Sequence, residues 1–232
     1  PMKHTFTVPQ HVSHVTQTLK DAGFEAFLVG GCVRDLVMGL EPKDWDITTN
    51  AKPEEVIPLF EKTVHENDFG MVAVVDENEP EDSSVRVIEV TTYRSETTYT
   101  NNRHPDSIEY SKTLEEDLKR RDFTMNALAY DVERETLEDF YNGQEDIKNQ
   151  RIITVGNPHD RFEEDALRML RAVRFSAQLG FTIEDTTKTA IKKFSKNLKT
   201  ISAERIRDEF VKLVNSAHPE HGLNVARETG LL

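Results

Sequence analysis

The spacing of apolar residues in the first 92 positions alternates between helical and strand-like patterns. Residues 12–22 carry apolar side chains at helical spacing, and Gly23 suits the end of that helix. Another helix is expected from residue 51 onward, because Pro53 and two acidic residues occupy its first turn. Three short runs of apolar or β-branched residues predict strands: 26–29, 71–75 and 85–92. The pattern therefore predicts a domain that mixes strands and helices.

The pattern after residue 155 is helical. A Gly-Asn-Pro break at 156–158 precedes a long run of helical spacing, which predicts one helix that continues to about residue 179 and ends at Gly180. Residues 186–194 and 203–215 predict two more helices. The His-Pro-Glu-His sequence at 218–221 is interpreted as a loop, since no third metal ligand accompanies its two histidines.

Two polar stretches lie between these regions. Residues 93–106 have no periodicity and predict a long mobile loop. Residues 114–130 allow two interpretations. One is an amphipathic helix with i,i+4 ion pairs such as Glu116 with Arg120. The other is a binding site: the basic residues would hold phosphate or ribose and the polar ones sugar hydroxyls, with the candidates Arg120, Arg121, Asp122 and Asn126.

Composition narrows the class of protein. The chain has 232 residues, enough for one large or two small domains. It has no run of eighteen apolar residues and no signal-peptide pattern, which predicts a soluble cytoplasmic protein with no membrane partner. Cys32 is the single cysteine, so an internal disulfide and a cysteine-rich zinc site are excluded.

The formal net charge of −13 is unusual for a protein that handles nucleic acid, because phosphate-binding surfaces are normally basic. Basic residues are nevertheless clustered, and a local field can guide a polyanion into a cleft of an acidic protein. The clusters are 119–121 and the set Arg161, Arg168, Arg171 and Arg174.

An Asp-Trp-Asp-Ile-Thr sequence at 44–48 is the strongest candidate for chemistry. In an extended segment, Asp44 and Asp46 point the same way while Trp45 and Ile47 point into the core. Two close carboxylates repel each other unless a cation lies between them, and Mg²⁺ prefers such oxygen ligands. The alternative is an ordinary solvated strand edge.

The Gly-Gly turn upstream favours the metal interpretation. Gly30 and Gly31 have no Cβ, so the backbone there can approach a triphosphate closely, and the start of the following short helix offers N–H donors. That helix is expected at 33–38 with Gly39 at its end. Arg34 lies one turn in, where its guanidinium can bind phosphate with two hydrogen bonds.

These motifs together resemble those of the class II tRNA nucleotidyltransferases and bacterial poly(A) polymerases, a branch of the DNA polymerase β-like nucleotidyltransferases. The stretch LVGGCVRD…DWDITT looks like the family's motif A, and Arg-Arg-Asp-x-x-x-Asn-Ala at 120–127 matches its motif B. Glu164-Asp165-x-x-Arg168 matches motif D. Residues 139–152 and 203–209 resemble motifs C and E, which in the family connect the head to the neck and brace the neck. The resemblance extends from about residue 23 to 209, with every motif in order.

Asp165 and Arg168 allow an ordinary interpretation and a functional one. With Arg171 and Arg174 they are spaced three apart, which by itself describes an ion pair on a solvated helix face. An Arg side chain only donates and an ionised Asp only accepts, so one such pair can match the amino group and ring nitrogen of both cytosine and adenine. Uracil and guanine present the opposite polarity, and each unpaired group would cost about 1–3 kcal/mol.

The resemblance implies an α/β head with a mixed, mostly antiparallel sheet, followed by an all-α neck. The implied domains are a nucleotidyltransferase head at 1–155 and a nucleotide-selecting neck with the start of a body at 156–232. Family members continue into body and tail domains, so the sequence is expected to be a head-plus-neck portion.

The activity implied is addition of C, C and A to the 3′ end of tRNA from CTP and ATP, by two-metal nucleotidyl transfer. Asp44 and Asp46 would be catalytic and hold Mg²⁺, and the resemblance places Arg121 at the incoming nucleotide and Arg171 nearer the phosphates and base than Arg174. The expected nucleotide-binding residues are Gly30, Gly31, Arg34, Arg121, Asp122, Asn126, Asp165, Arg168, Arg171 and Arg174. Expected partners are the tRNA acceptor end, CTP and ATP, and no protein partner is evident.

Three alternatives stay open. A poly(A) polymerase shares these motifs, although Arg103-His104-Pro105-Asp106 matches a loop core that favours complete C-C-A addition. A non-catalytic nucleotide- or RNA-binding module is the alternative from another class, and the intact aspartate pair argues against it. Glu89, on a predicted strand, is either a third metal ligand or an ordinary exposed glutamate.

Overall fold

The computed structural model describes residues 1–66, 70–95, 98–100, 104–107 and 109–232, with 66, 98–100 and 104–107 described by their backbone. The strands of this part are β1 Met2–Lys3, β2 Ala26–Val29, β3 Trp45–Thr49, β4 Thr63–Glu66, β5 Met71–Val75, β6 Val87–Thr92, β7 Thr98–Thr100, β8 His104–Ser107, β9 Ala129–Asp131, β10 Thr136–Glu138, β11 Arg151–Ile152 and β12 Thr182–Ile183.

Helices connect and follow these strands. Their bounds are α1 Gln10–Asp21, α2 Gly31–Val37, α3 Pro53–Val56, α4 Leu114–Lys119, α5 Gly143–Lys148, α6 Pro158–Glu164, α7 Leu167–Leu179, α8 Asp185–Phe194, α9 Ala203–Val214 and α10 Pro219–Thr229. Short 3₁₀ helices occur at Ile57–Leu59, Thr124–Asn126 and Ser195–Thr200.

The chain forms two compact units. The first unit comprises Pro1–Glu96, Ile108–Arg121 and Met125–Gln144, and the second comprises Thr97–Ser107, Asp122–Thr124 and Glu145–Leu232. The predicted boundary between a head and a neck domain after residue 155 remains a prediction, since these units are defined by packing alone.

One eight-stranded sheet dominates the first unit, in the order β1-β10-β9-β2-β3-β6-β5-β4. Its neighbours are antiparallel except for β3 and β6, which run parallel with Asp46 aligned to Glu89. The expected mixed, mostly antiparallel sheet is therefore confirmed, as are the strands predicted at 26–29 and 71–75.

Alternation of side chains explains how the sheet positions its polar residues. In β5, Val72 and Val74 are buried while their neighbours are half-buried. In β3, Trp45 and Ile47 are buried as predicted, so Asp46 between them points to the other face. Helix α1 packs Val15 and Leu19 into the apolar core, where both are fully buried.

The second unit is mostly helical, in agreement with the pattern after residue 155. The single helix predicted up to residue 179 is wrong, because α6 ends at Glu164 and α7 starts at Leu167. Asp165 is extended there (φ −150°, ψ 104°), and its carboxylate accepts the N–H of Leu167 at 3.1 Å. This hydrogen bond caps the new helix and competes with helical continuation. Gly180 ends α7 in a left-handed conformation, as predicted.

Three other predictions from the pattern need correction. The continuous helix considered at 114–130 ends at Lys119 and gives way to a 3₁₀ turn and β9. The loop predicted at 218–221 is wrong, because Pro219 begins α10 and suits a helix N-terminus. The loop predicted at 93–106 contains the backbone of β7 and β8, which pair in antiparallel fashion. Arg103 lies outside the described residues.

In the part of the chain that the structure describes, no helix is both long enough and apolar enough to cross a membrane.

Candidate active site

The two aspartates of the Asp-Trp-Asp sequence lie at the start of β3. Asp44 is exposed just before the strand, and Asp46 is half-buried within it. The parallel neighbour β6 places Glu89, which is exposed, beside Asp46. Three carboxyl groups therefore lie near one another on one face of the sheet.

Negative charge accumulates at this point. The pKa of Asp46 is raised to about 7, first by burial, then by a hydrogen bond with Glu89 and by the charges of Glu89 and Asp44. The guanidinium of Arg121 opposes this rise. A bound cation would favour the ionised form of Asp46, so the Asp44–Asp46 pair suits a divalent metal.

Glu89 is not established as a third ligand. Within the described ranges, no group of three or more His, Cys, Asp or Glu side chains could hold a metal ion. The interaction of Glu89 with Asp46 is one between two carboxyl groups that share a proton, which does not by itself form a metal site. Glu89 as a third metal ligand stays a prediction, as do Asp44 and Asp46 as the metal-holding pair.

The Gly-Gly turn forms a cradle lined by two guanidinium groups. Gly30 precedes α2 with φ 77° and ψ −140°, a conformation that favours glycine. A Cβ on Gly30 would lie 3.6 Å from Nη1 of Arg121, and one on Gly31 would lie 3.4 Å from Nη2 of Arg34. The absence of both Cβ atoms leaves room above the backbone, where an anion would meet two positive charges.

Neighbouring side chains hold the two arginines of the cradle. Arg34 donates from Nη1 to Oδ1 of Asn126 at 2.9 Å and from Nη2 to Oδ1 of Asp35 at 3.0 Å. Arg121 donates from Nη2 to Oδ2 of Asp117 at 3.1 Å. Asn126 thus holds the guanidinium of Arg34 in the structure, and its contact with a sugar hydroxyl stays a prediction.

Asp117 is a site residue that the sequence interpretation missed. It is fully buried, and it pairs with Arg120 at 3.2 Å and with Arg121 at 3.1 Å. Burial raises its pKa, but the two arginines more than offset this, and the pKa falls to about 2. Its spacing of three and four residues from the arginines was a usable signal, since such residues share a helix face. Arg120 therefore has Asp117 as a partner, and its pairing with Glu116 stays a prediction.

In the second unit, Asp165 lies in the break between α6 and α7, and Arg168 lies in the first turn of α7. Oδ2 of Asp165 accepts from Nη2 of Arg205 at 2.8 Å. Arg168 donates from Nη1 to Oε2 of Glu164 at 2.7 Å, and its backbone N–H donates to the carbonyl of Asp165 at 3.1 Å. The structure therefore brings the predicted pair together at one helix start and gives each side chain a further partner.

A buried network of charges holds the rest of the predicted arginine stripe. Arg171 lies 2.7 Å from Oδ2 of Asp122 and 3.3 Å from Oε1 of Glu209. Arg174 donates to Oε2 of Glu209 at 2.7 Å and lies 4.0 Å above the ring of Phe175. Arg174 is 7% exposed, so the interpretation of this stripe as a solvated face is wrong.

Asp122 and Glu209 stay ionised in this network. Burial raises the pKa of Asp122, but the charge and hydrogen bonds of Arg171 more than offset this and lower it to about 2. The pKa of Glu209 is also lowered, because the bonds from Arg174 and the charge of Arg171 outweigh its burial. Glu209 lies on α9, so only the fold could show that it faces the arginines of α7.

The predicted residues are thus divided between the two units. The first unit contains Gly30, Gly31, Arg34, Asp44, Asp46, Arg121 and Asn126, and the second contains Asp122, Asp165, Arg168, Arg171 and Arg174.

Comparisons with known proteins agree with these motifs. Residues 26–153 match a family described as the poly A polymerase head domain. Residues 180–232 match a family described as a probable RNA- and SrmB-binding site of polymerase A.

The relatives carry a common name. A CCA-adding enzyme of Lactobacillus helveticus is 48% identical over 218 residues, which are 94% of this chain and 53% of the relative. One from Ligilactobacillus salivarius is 46% identical over 218 residues, 94% of this chain and 52% of the relative. The crystal structure of the Bacillus stearothermophilus CCA-adding enzyme in complex with CTP has a TM-score of 0.86 at 40% identity, over 97% of this chain and 53% of that one. The chain therefore spans about half the length of these relatives.

Proposed function

The chain belongs to the poly A polymerase head-domain family, and from that premise we propose that it contributes to the addition of C, C and A to the 3′ end of tRNA. The substrates would be CTP, ATP and the tRNA acceptor end, with pyrophosphate released. The relatives named CCA-adding enzymes and the structural neighbour in complex with CTP support this choice. Such a reaction belongs in the cytoplasm, where we expect the protein.

One observation carries the proposal: the glycine cradle and the aspartate pair share Arg121. Its guanidinium lies beside Gly30 and also lowers the pKa of Asp46. A phosphate chain in the cradle would therefore lie close to the carboxylates. That juxtaposition suits attack of a hydroxyl on a nucleoside triphosphate.

We assign the metal site to Asp44 and Asp46 and the metal to Mg²⁺. The excess negative charge at Asp46 fits a divalent cation, and the cradle offers substrate phosphates as further ligands. When bound, such ions lower the pKa of an attacking hydroxyl and stabilise a leaving pyrophosphate. Arg34 and Arg121 would position the triphosphate, each held by its own partner.

We assign the choice of base to Asp165 and Arg168 in the second unit. Asp165 is 6% exposed and lies 2.8 Å from Nη2 of Arg205, and its carboxylate oxygens can accept from an amino group. Arg168 can donate to a ring nitrogen. Together they would accept cytosine and adenine and reject uracil and guanine, whose polarity leaves groups unpaired.

A poly(A) polymerase is the second candidate, because the matching family carries that description. It would use the same carboxylates and cradle but extend RNA with adenosine alone. Use of CTP separates the two.

To test the proposal, the chain is incubated with Mg²⁺, CTP, ATP and a tRNA that ends at its discriminator base, and products are resolved to single nucleotides. Growth by three nucleotides is expected, and an adenosine ladder would identify a poly(A) polymerase instead. Asp46→Asn should lower the rate by at least about 10³-fold, because it removes a charge that holds the metal. Asp82→Asn, which changes an exposed aspartate, is the matched control.

A binding module is distinguished by nucleotide affinity. If the parent binds CTP with Mg²⁺ but extends no RNA, and Asp46→Asn binds CTP equally well, the catalytic assignment is wrong.

A further inference from the structure

The carboxylate of Asp117 accepts four hydrogen bonds, two on each oxygen. Oδ1 accepts the backbone N–H of Arg94 at 3.0 Å and Nη2 of Arg120 at 3.2 Å. Oδ2 accepts the hydroxyl of Thr48 at 3.1 Å and Nη2 of Arg121 at 3.1 Å. An ionised carboxylate has about four acceptor positions, so this buried side chain has none left for a substrate or a metal. Any effect of Asp117 on the reaction therefore passes through the groups that it holds.

Arg121 is the member of this group that reaches the cradle. Its Nη2 is bound to Asp117, and its Nη1 lies beside Gly30, where a Cβ would be 3.6 Å away. The planar guanidinium therefore has one nitrogen that is anchored and another that faces the space proposed for phosphate. An arginine stem has many rotamers, so the anchor restricts where the second nitrogen can lie.

The other hydrogen bonds of Asp117 tie this anchor to the strands that carry the carboxyl groups. Thr48 lies two positions after Asp46 in β3, and side chains two apart in a strand point to the same face, about 7 Å apart. The N–H of Arg94 follows the end of β6, the strand of Glu89. Asp117 therefore binds the cradle arginine and both of these neighbouring strands at once.

A purely structural role is the ordinary explanation for a buried acid of this kind. Asp117 belongs to the first turn of α4, where a negative charge stabilises the helix dipole. Asp131 provides a comparison in the same unit, because it is 5% exposed, pairs with Lys20 and accepts the N–H of Arg134 at 3.1 Å. These partners of Asp131 lie outside the cradle, so the two acids differ in what they hold.

We infer that Asp117 is a positioning residue for nucleotidyl transfer, which holds Arg121 so that a phosphate chain in the cradle is aligned with Asp46. This role rests on the proposed function, in which the cradle takes the triphosphate. Asp117 touches neither the substrate nor the metal, and its contribution depends on Arg121.

The hydrogen-bonding roles of the four partners predict what Asp117→Asn would break. The groups of Arg94, Arg120 and Arg121 that bind Asp117 only donate, whereas the hydroxyl of Thr48 both donates and accepts. An amide nitrogen in place of Oδ1 would face two donors, but in place of Oδ2 it could donate to Thr48. The asparagine should therefore direct its nitrogen to the Oδ2 side, where Arg121 loses its acceptor.

The first test compares Asp117→Asn with Asp131→Asn in the 232-residue chain. Both variants remove one negative charge from a buried acid of the first unit, and thermal unfolding verifies that both are folded. Equilibrium dialysis measures binding of CTP with Mg²⁺. Asp117→Asn should weaken it by about 10-fold, since a hydrogen bond to a charged group is lost, and Asp131→Asn by less than about 2-fold.

A double-mutant cycle tests whether Asp117 acts through Arg121. Arg121→Gln alone should weaken binding of CTP at least as much as Asp117→Asn does. In the Arg121→Gln background, Asp117→Asn should change it by less than about 2-fold, because the residue that it positions is gone. A merely structural role would instead lower affinity by the same factor in both backgrounds.

Arg121→Lys keeps the inference testable if Asp117→Asn does not fold. Lysine keeps the charge and can still pair with Asp117, but its single nitrogen cannot also face the cradle. Binding of CTP with Mg²⁺ should fall by about 5-fold or more, with little change in the temperature of unfolding. Binding equal to that of the parent would overturn the inference.

Two results in the dialysis experiments would also overturn it: equal affinity for CTP in the two asparagine variants, or independent effects in the cycle. Extension of tRNA is measured with the same proteins. If the parent adds C, C and A while either of these results is obtained, the inference fails and the proposed function stands. If the parent binds CTP but extends no tRNA, the proposed function fails, and the cycle still decides whether Asp117 positions Arg121.

Discussion

At the scale of single residues, the cradle depends on what Gly30 lacks. Its conformation is one that side-chain-bearing residues rarely adopt, and its missing Cβ leaves space beside Arg121. Gly39 also has a positive φ, of 74°, but a Cβ there would meet nothing within 4 Å. An alanine at Gly39 would therefore cause backbone strain alone, whereas an alanine at Gly30 would cause the same strain and also place a methyl group in the cradle.

Gly30→Ala and Gly39→Ala should both lower the free energy of unfolding, by about 1–3 kcal/mol, because alanine is strained at positive φ. Only Gly30→Ala should also weaken binding of CTP with Mg²⁺, by about 10-fold or more, since its methyl group enters the space proposed for phosphate. Urea denaturation and equilibrium dialysis measure the two effects. Equal loss of CTP binding in both variants would mean that strain alone matters.

Some of the site could be predicted at this scale because its logic is local. Asp44, Asp46 and Trp45 follow the period of two that any extended strand imposes. The partners of the arginines could not be predicted in the same way. Glu209 reaches Arg171 and Arg174 from another helix, and Asn126 reaches Arg34 across 92 positions of sequence.

At the scale of elements, the break between α6 and α7 determines where Asp165 points. Asp165 caps α7 and pairs with Arg205 of α9, so both its backbone and its carboxylate are fixed. The periodicity on either side is helical, which is why the sequence predicted one helix. The competing hydrogen bond of a single Asp side chain overrides that pattern.

Arg205→Ala should therefore relax the choice of base, because Asp165 loses the partner that orients it. We expect the preference for CTP over UTP to fall about 10-fold, a change of about 1.4 kcal/mol in relative barrier height, with a smaller loss of the rate with CTP. Arg205→Lys should restore part of the preference. Single-nucleotide incorporation with each triphosphate measures it.

Arg207→Ala is the matched control, since Arg207 lies on the same helix and is 69% exposed. If Arg205→Ala slowed CTP and UTP incorporation equally and left their ratio unchanged, Arg205 would stabilise the fold without positioning Asp165.

The shortest strands of the sheet could not be predicted from the sequence pattern. β4, β9 and β10 contain three or four residues each, too few for a period of two to stand out. Their pairing is set by the whole sheet and not by local sequence: β9 pairs on one side with β2, which lies about a hundred residues earlier in the chain.

At the scale of the whole molecule, each unit contains a buried carboxylate that arginine keeps ionised. Asp117 belongs to the first unit and Asp122 to the second, and each has a pKa of about 2 against an ordinary value of 3.8. A carboxyl with a lowered pKa stabilises the fold above its unfolded value, and that stability is lost as pH falls towards the folded value.

The free energy of unfolding should therefore fall between about pH 4 and pH 2, by about 2 kcal/mol for each of these groups. Urea denaturation from pH 7 to pH 2.5 measures the fall. Asp122→Asn should be less stable than the parent at pH 7, and the difference should shrink below pH 4. A constant difference across this range would show that Asp122 does not titrate with the fold.

The order of strands in the sheet also determines how much of the chain must be synthesised before the sheet can form. β1, formed by residues 2 and 3, pairs with β10, and β3 acquires its parallel neighbour only when β6 has been made. A growing polypeptide cannot complete the sheet until residue 138 has left the ribosome. Until then β1 lacks its partner β10 and β2 lacks its partner β9, so both strands have an unpaired edge. We therefore expect the unpaired strand edges of the nascent chain to be open to pairing with other chains until residue 138 has emerged.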